Sequence, residues 1–269
     1  MNNKYNISEL ESVANEIRGK IIELSYSNRI AHLGSSLSCV DILVAIYWTV
    51  MNIKSQNRDR FILSKGHAAT ALYVTLFYKG LISESQLKSL GESDSPFEEH
   101  PNRNIPGIDL ATGSLGHGLS VGIGMALAGR IQKKNYRIFC LLSDGECNEG
   151  SVWESAMFAS AQKLNNIVVF VDFNKWQATG RSCDIMALEP LKEKWMSFGW
   201  LTYEINGHDI QSIVNILSNI PDDNTKPVII IAHTVKGKGV SFMEDDNNWH
   251  YRIVNQEEMI MAKKELGLL

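Results

Sequence analysis

The sequence predicts an α/β fold in which a mainly parallel sheet carries helices on both faces. Short apolar runs rich in β-branched residues, such as 167–173 (IVVFVDF) and 227–232 (PVIIIA), alternate with segments of helical pattern. These runs are apolar almost throughout, which indicates that both faces of each strand are covered. The length of 269 residues allows one large domain or two small ones, with an ample core.

Each element has its own signal in the sequence. Ser8 and Glu11 predict a capping box at the start of the first helix. Gly, Pro, Ser and Asn are frequent over residues 91–114 and predict a long loop, and such loops in compact domains are usually functional. Helices are predicted over 8–29, 38–50, 67–79, 117–133, 150–164, 188–198 and 209–219, and strands over 58–63, 136–142, 167–173, 200–205 and 227–232.

The composition excludes several classes of protein. A formal net charge of −4 offers no basic surface for nucleic acid. No apolar run reaches the roughly 18 residues of a membrane span, and the polar N-terminus lacks the apolar stretch of a secretory signal. The four cysteines form no CxxC pair, which indicates reduced thiols. We therefore expect a cytoplasmic protein that binds neither nucleic acid nor a membrane.

Polar residues follow two successive predicted strands. Asp144 and Gly145 come directly after strand 136–142, and Asn174 follows strand 167–173, thirty residues later. An Asp-Gly pair alone is most often a turn, and Asn174 alone is most often a loop residue. Together, at the ends of neighbouring parallel strands, they predict a divalent cation that holds a phosphate.

The spacing Ser-Asp-Gly-Glu followed by Asn resembles the thiamine-diphosphate motif, and the rest of the chain resembles the N-terminal half of transketolase. Two departures from the family pattern are Ser143, where the motif usually begins with Gly, and Phe173 before Asn174. The matching segments are AHLGSSLSCVDIL (31–43), DRFILSKGHAATALY (59–73), EEHPNRNIPGIDLATGSLGHGLSVGIGMALAG (98–129), LSDGECNEGSVWESA (142–156) and TVKGKGVSFMEDDNNWHYR (234–252).

The resemblance implies one diphosphate-binding domain over residues 1–269. Complete transketolases continue into a pyrimidine-binding domain and a C-terminal domain, which we expect on a second polypeptide, with two copies of each chain in the working enzyme. The opening Met and the polar closing segment EMIMAKKELGLL favour a natural chain over a truncated one. In the family a Glu of the pyrimidine-binding domain activates the cofactor, so we expect this chain alone to be inactive.

The resemblance also implies a set of ligands. Asp144, Asn174 and the carbonyl of Trp176 would bind Mg²⁺ or Ca²⁺. The cofactor thiamine diphosphate would be bound by His67, Ser114, Leu115, Gly116, Asp144, Gly145, Glu146 and Asn174.

Four of the seven histidines match family histidines that surround the reacting carbons. The resemblance implies that His67 and His100 contact the cofactor and the donor oxygen, and that His32 and His250 handle protons of the acceptor. The other three are ranked lower: His117 replaces a frequent Gln, His208 is a possible helix cap, and His233 is unassigned.

Three further features have alternative interpretations. Small residues recur every four positions from Gly118 and from Ser151, and we prefer a subunit interface to internal packing for both stripes. Glu149 and Glu154 fit acidic contacts across the dimer as well as they fit ordinary first-turn carboxylates. The segment KGKG (236–239) is interpreted as a mobile loop that orders over the diphosphate rather than as a nucleic-acid patch.

The resemblance implies a transketolase that moves a two-carbon ketol unit from a ketose, such as a sugar phosphate, to an aldose through a cofactor carbanion. Two alternatives stay open: a deoxyxylulose-phosphate-synthase-like or other specialised ketol or acyl transferase, and a non-catalytic regulatory paralogue that binds cofactor. The sugars and the pathway are not decided by the sequence.

Overall fold

The structure is a computed structural model that describes residues 6–221 and 224–269. Its strands are Arg60–Leu63 (β1), Ile138–Ser143 (β2), Ile167–Phe173 (β3), Leu201–Asn206 (β4) and Val228–His233 (β5). They form one sheet in the order β1-β2-β3-β5-β4, and every neighbouring pair is parallel. The predicted fold class is confirmed, and all strand ends that carry polar loops meet at one edge of the sheet.

The helices cover both faces of the sheet. Within the described ranges they are Ile7–Asn28 (α1), Leu33–Ser38 (α2), Val40–Ala45 (α3), Ala69–Tyr78 (α4), Glu84–Lys88 (α5), Gly118–Ile131 (α6), Gly150–Ala161 (α7), Ser182–Ile185 (α8), Leu191–Ser197 (α9), Ile210–Ser218 (α10) and Gln256–Glu265 (α11). Side chains alternate across β3: Val168 and Phe170 enter one core, and Val169 and Val171 enter the other. A strand buried on both faces explains its unbroken apolar pattern.

Several helix boundaries differ from the predictions. The Ser8 capping box is wrong, because the helix begins at Ile7 and Asn6 occupies the N-cap position. The helix predicted over 38–50 is broken at Cys39 and ends in a π-helical turn over Ile46–Val50. The helix predicted over 188–198 begins only after Pro190, which cannot continue a helix from the residues before it.

The predicted loop over 91–114 is confirmed as a region without helix or strand. The short helix α5, just before this loop, was not predicted, although Ser83 and Gln86 form a capping box there. In the described part of the chain, no helix is long and apolar enough to cross a membrane.

The small-residue stripes are packed inside this chain, so their prediction as a subunit interface is wrong. A Cβ on Gly118 would lie 2.2 Å from Ser64 Oγ, and one on Gly122 would lie 3.1 Å from Ile62 Cδ1 of β1. The hydroxyls of Ser120 and Ser155 are 2.7 Å apart and join α6 to α7. Small residues here let the two helices approach the sheet and each other. The other buried members of the stripes are Ala126 and Ala159.

Candidate active site

A cleft of about 310 Å³ opens at the carboxyl edge of the sheet. It is built from the loops after β1, β2 and β3 together with the long loop and the segment after β5. Of the residues predicted for the site, it is lined by His67, His100, Leu115, Gly145, Asn174, Trp176 and His250.

Asp144 and Asn174, two of the three predicted metal ligands, follow adjacent strand ends, because Ser143 of β2 pairs with Asp172 of β3. Asp144 is fully buried, and its carboxylate accepts hydrogen bonds from the Gly145 N–H (2.9 Å) and the Ser182 hydroxyl (2.7 Å). Burial raises the pKa of Asp144 to about 6.

Asn174 directs its side-chain oxygen toward the loop that follows it. Asn174 Oδ1 accepts from the backbone N–H of Trp176 at 3.0 Å. The Trp176 indole N–H donates to Asp245 at 2.8 Å, and the Arg181 guanidinium lies 3.8 Å from the centre of the indole ring. In the described ranges, no three His, Cys, Asp or Glu side chains form a group that could by itself hold a metal ion. The predicted donor set has one carboxylate, one amide oxygen and one carbonyl, which leaves room for phosphate oxygens and water.

A buried ion pair below the cleft was not predicted from the sequence. Lys65 and Asp172 are both completely buried and form a salt bridge. Asp172 also accepts from the hydroxyls of Ser38 (2.6 Å) and Thr234, and Lys65 Nζ donates to the Ser35 carbonyl at 3.0 Å. Burial alone would lower the pKa of Lys65, but the Asp172 carboxylate outweighs it and the pKa is raised. Lys65 is therefore a permanent positive charge under the site.

The structure brings the four predicted histidines together. The ring centres of His32 and His250 are 5.0 Å apart, those of His67 and His250 5.6 Å, and those of His32 and His67 5.8 Å. His100 lies 6.4 Å from His32. His32 has a left-handed backbone (φ 61°), and its N–H donates to the His250 carbonyl at 3.0 Å. Their catalytic roles stay predictions.

Three of these imidazoles are neutral at neutral pH. Burial, with help from Lys236, lowers the pKa of His250 to about 3. Burial also holds the pKa of His67 well below its ordinary value. Burial lowers the pKa of His32 as well, and the nearby Glu99 carboxylate opposes the shift in part.

Lys236 reaches the histidine cluster from the segment after β5. Its amine donates to Asn247 Oδ1 at 2.6 Å and lies 3.3 Å from His250 Nδ1. Burial, with the charge of Lys65, lowers the pKa of Lys236 to about 8. The prediction of a loop made mobile by glycine is not supported at Gly237, where packing explains the residue. Gly237 has φ 78°, and a Cβ there would lie 2.2 Å from the Met243 carbonyl oxygen.

The Glu146 carboxylate does not line the cleft, and the contact of this residue with the cofactor stays a prediction. The short 3₁₀ turn Gly145–Asn148 buries its carboxylate, which accepts from the Ser64 hydroxyl and from the Gly116 N–H at 2.9 Å. Gly116 has φ 86° and its carbonyl accepts from the Ser151 hydroxyl at 2.8 Å. Glu146 therefore holds the backbone of the predicted cofactor-binding loop at Gly116.

The remaining histidines lie outside the cluster. His117 is exposed at the start of α6 and makes no capping hydrogen bond. His208 does not cap α10, because Asp209 accepts from the Ser212 N–H in that role. His233 lies 2.7 Å from Glu204 on the edge strand. Glu149 and Glu154 are exposed on the start of α7, and both interpretations stay open.

The cleft carries two unsatisfied polar atoms, one donor and one acceptor, that fit a hydrogen-bonding ligand. Gln177 Nε2 and Asn148 Oδ1 are buried without a hydrogen-bond partner, and both residues line the cleft. Such atoms are costly unless a ligand or water satisfies them. The charges of the buried Lys65 and Lys236 act on Asp144, and together with the Gln177 donor they fit a diphosphate held with a divalent cation.

Fold and site together define an α/β domain whose cleft, at the strand ends, fits an anionic cofactor. Residues 10–269 match the family described as "Transketolase, thiamine diphosphate binding domain", and the chain belongs to this family. It is 40% identical over 266 residues to one of the subunits of the apulose-4-phosphate transketolase of Phocaeicola vulgatus, covering 97% of this chain and 95% of that one. It is 38% identical over 264 residues to the 6-deoxy-6-sulfo-D-fructose transketolase subunit SqwG of a Clostridium species, covering 96% of each.

Solved transketolases share the fold but are longer. The transketolase of Campylobacter jejuni superposes with a TM-score of 0.91 at 30% identity, covering 98% of this chain and 43% of that one. The chain thus spans about two fifths of the length of this solved relative. The prediction of a split transketolase subunit is confirmed by relatives that are named as subunits and that the chain matches over nearly their whole length.

Proposed function

We propose that this chain supplies the diphosphate and the metal site of a thiamine-diphosphate-dependent transketolase, which transfers a two-carbon ketol unit from a ketose to an aldose. The observation that carries the proposal is the cluster of neutral imidazoles beside a strand-end pair of oxygen ligands. Neutral imidazoles both accept and donate protons, which the carbonyl and hydroxyl groups of two sugars require. Family membership supports the same conclusion.

In this proposal the cation is Mg²⁺ or Ca²⁺, bound by Asp144, Asn174 and the Trp176 carbonyl. Lys236 neutralises diphosphate charge. Gln177 Nε2 can donate a hydrogen bond to a diphosphate oxygen, and Asn148 Oδ1 can accept one from a donor group of the cofactor. When bound, thiamine diphosphate supplies the electron sink that makes cleavage between the two sugar carbons possible.

The histidines have different proposed roles in proton transfer. Lys236 Nζ can only donate, so its contact with His250 Nδ1 leaves the proton of that neutral ring on Nε2, ready to donate to a substrate oxygen. His32 Nδ1 is buried without a hydrogen-bond partner, and the charge of Glu99 Oε2, 3.8 Å away, favours a proton on it, which leaves His32 Nε2 free to accept. His67 and His100 complete the proposed contacts to cofactor and donor sugar.

A second subunit with the pyrimidine-binding domain completes the proposed enzyme, in an α2β2 assembly. Val121 on α6 and Met157 and Phe158 on α7 expose large apolar side chains on neighbouring helices, which supports a partner on that face. The relatives' names refer to apulose-4-phosphate and to a sulfo sugar, so we propose substrates with an anionic group remote from the carbonyl. The four free cysteines support a cytoplasmic enzyme.

The test is Asp144→Asn in the complex with the second subunit, assayed for Mg²⁺- and thiamine-diphosphate-dependent ketol transfer from a panel of ketose phosphates. We expect loss of about 100-fold or more in cofactor affinity, since outer-sphere changes alone already cost 10- to 100-fold at metal sites. Asp184→Asn, an exposed carboxylate nearby, is the matched control and should behave as wild type.

Each result bears on the proposal. Loss of transfer in Asp144→Asn alone supports a catalytic transketolase subunit. Full activity of Asp144→Asn, or full activity of this chain without a partner, would contradict it. A complex that binds cofactor and transfers nothing from any ketose would favour the specialised transferase or the regulatory paralogue.

A further inference from the structure

A buried network outside the cleft connects the N-terminal helices to the segment after β5. Arg18 on α1 donates two hydrogen bonds to Asp41 on α3, at 3.1 and 2.5 Å. Asp41 Oδ2 lies 2.7 Å from Nδ1 of His208, in the turn between β4 and α10. The other ring nitrogen, Nε2, lies 2.8 Å from the backbone nitrogen of Val235. Both nitrogens of His208 are therefore engaged.

These contacts fix the tautomer of His208. The Val235 N–H only donates, so His208 Nε2 accepts and carries no proton. Nδ1 of the neutral ring then holds the proton and donates it to Asp41. Burial alone would raise the pKa of Asp41, but Arg18 and the hydrogen bond from His208 outweigh it and keep the pKa below its ordinary value. Asp41 therefore stays charged and holds the ring in this orientation.

The segment that His208 holds carries Lys236. The Lys236 side chain crosses Gly34, where a Cβ would lie 2.9 Å from Lys236 Cγ, so its path has little freedom. At the far end of the segment, a Cβ on Gly239 would lie 3.1 Å from Arg18 Cδ. The network thus contacts the segment on both sides of Lys236.

We propose that His208 is a positioning residue, which fixes the segment from Val235 to Gly239 so that the Lys236 amine stays beside His250. Arg18 and Asp41 give it a rigid buried support, and the accepted Val235 N–H is its direct contact with the segment that carries Lys236. The expected effect of His208 on cofactor affinity rests on the proposed function of Lys236. The expected effect on the conformation of the segment from Val235 to Gly239 does not rest on that function.

The test compares His208→Phe with His233→Phe in the full chain. Phenylalanine keeps the ring volume and removes the acceptor for Val235, and His233 is a matched histidine outside the network. Hydrogen exchange of the 235–239 amides should speed up about tenfold in His208→Phe only, the effect expected when one buried hydrogen bond is lost. In the complex with the second subunit, the Kd for thiamine diphosphate with Mg²⁺ should rise by a similar factor.

A conservative variant and a measurement without mutation complete the test. His208→Gln keeps a donor and an acceptor on one side chain and should restore most of the exchange protection. In the unmodified chain, ¹⁵N shifts of His208 should report a proton on Nδ1, and a proton on Nε2 overturns the proposal even if no variant folds. Unchanged exchange in a folded His208→Phe chain also overturns it. Faster exchange, together with no cofactor binding by the wild-type complex, supports the role of His208 and refutes the proposed function instead.

Discussion

The substitution Asp172→Asn tests how much the buried ion pair below the cleft stabilises the protein. Asp172 ends β3 and accepts hydrogen bonds from Ser38, Thr234 and the ammonium of Lys65. Asparagine keeps the volume and an acceptor oxygen but removes the charge. Lys65 would then be a fully buried cation without its ion-pair partner.

The expected cost follows from that burial. Both side chains have 0% exposure, so solvent does not screen the pair. Removing one partner of a buried ion pair costs about 3–5 kcal/mol. In a chain of this size each kcal/mol lowers the midpoint of thermal unfolding by about 2–4 °C, so we expect a fall of about 6–20 °C.

Urea unfolding and calorimetry of the full chain measure the effect. Asp94→Asn, an exposed loop residue with φ 62° that asparagine also tolerates, is the control and should stay within about 0.5 kcal/mol of wild type. Replacing both charges, as in Lys65→Met with Asp172→Leu, should recover part of the loss, since an apolar pair leaves no unpaired charge. An Asp172→Asn chain within about 1 kcal/mol of wild type would refute the reasoning.

Two further predictions concern charges beside the histidines. Burial lowers the pKa of Lys236 to about 8, so its amine is largely unprotonated above that pH. Cofactor binding at higher pH should therefore take up a proton, which calorimetry in buffers of different ionisation enthalpy measures. Lys236→Met should abolish this proton uptake, and uptake that persists in the variant would contradict the assignment to Lys236. Glu99→Gln removes a charge that raises the pKa of His32, so NMR titration should find a lower His32 pKa than in wild type. The control Glu98→Gln should leave the His32 pKa unchanged. Equal His32 pKa values in the two variants would count against the interaction between Glu99 and His32.

The sheet and the strand-end ligands were predictable because their signals are local. Five apolar runs marked the strands, and the thirty-residue interval between Asp144 and Asn174 matched one strand–helix–strand step. Parallel pairing then required both residues to reach the same edge. The clustering of histidines depended instead on the family resemblance, because no spacing in the sequence brings His32, His100 and His250 together.

The buried charges could not be predicted from periodicity. Lys65 and Asp172 are separated by 107 positions, and Asp41 and His208 by 167. Lysine and aspartate ordinarily indicate a solvated face, and only the tertiary fold brings these partners together in the interior. The orientation of Glu146 was likewise not predictable, because its place in a cofactor motif said nothing about the 3₁₀ turn that buries its carboxylate.

The neutrality of the buried imidazoles has a consequence for how the site responds to acidity. His250, with its pKa lowered to about 3, and His67, with its pKa far below the ordinary value, stay uncharged as a cell acidifies from neutral pH toward 5. The attraction for anions therefore comes from the lysine ammonium groups, whose charge does not change over that range. Proton exchange and electrostatic attraction are thus assigned to different side chains, so acidification over this range leaves His250 and His67 able to relay protons.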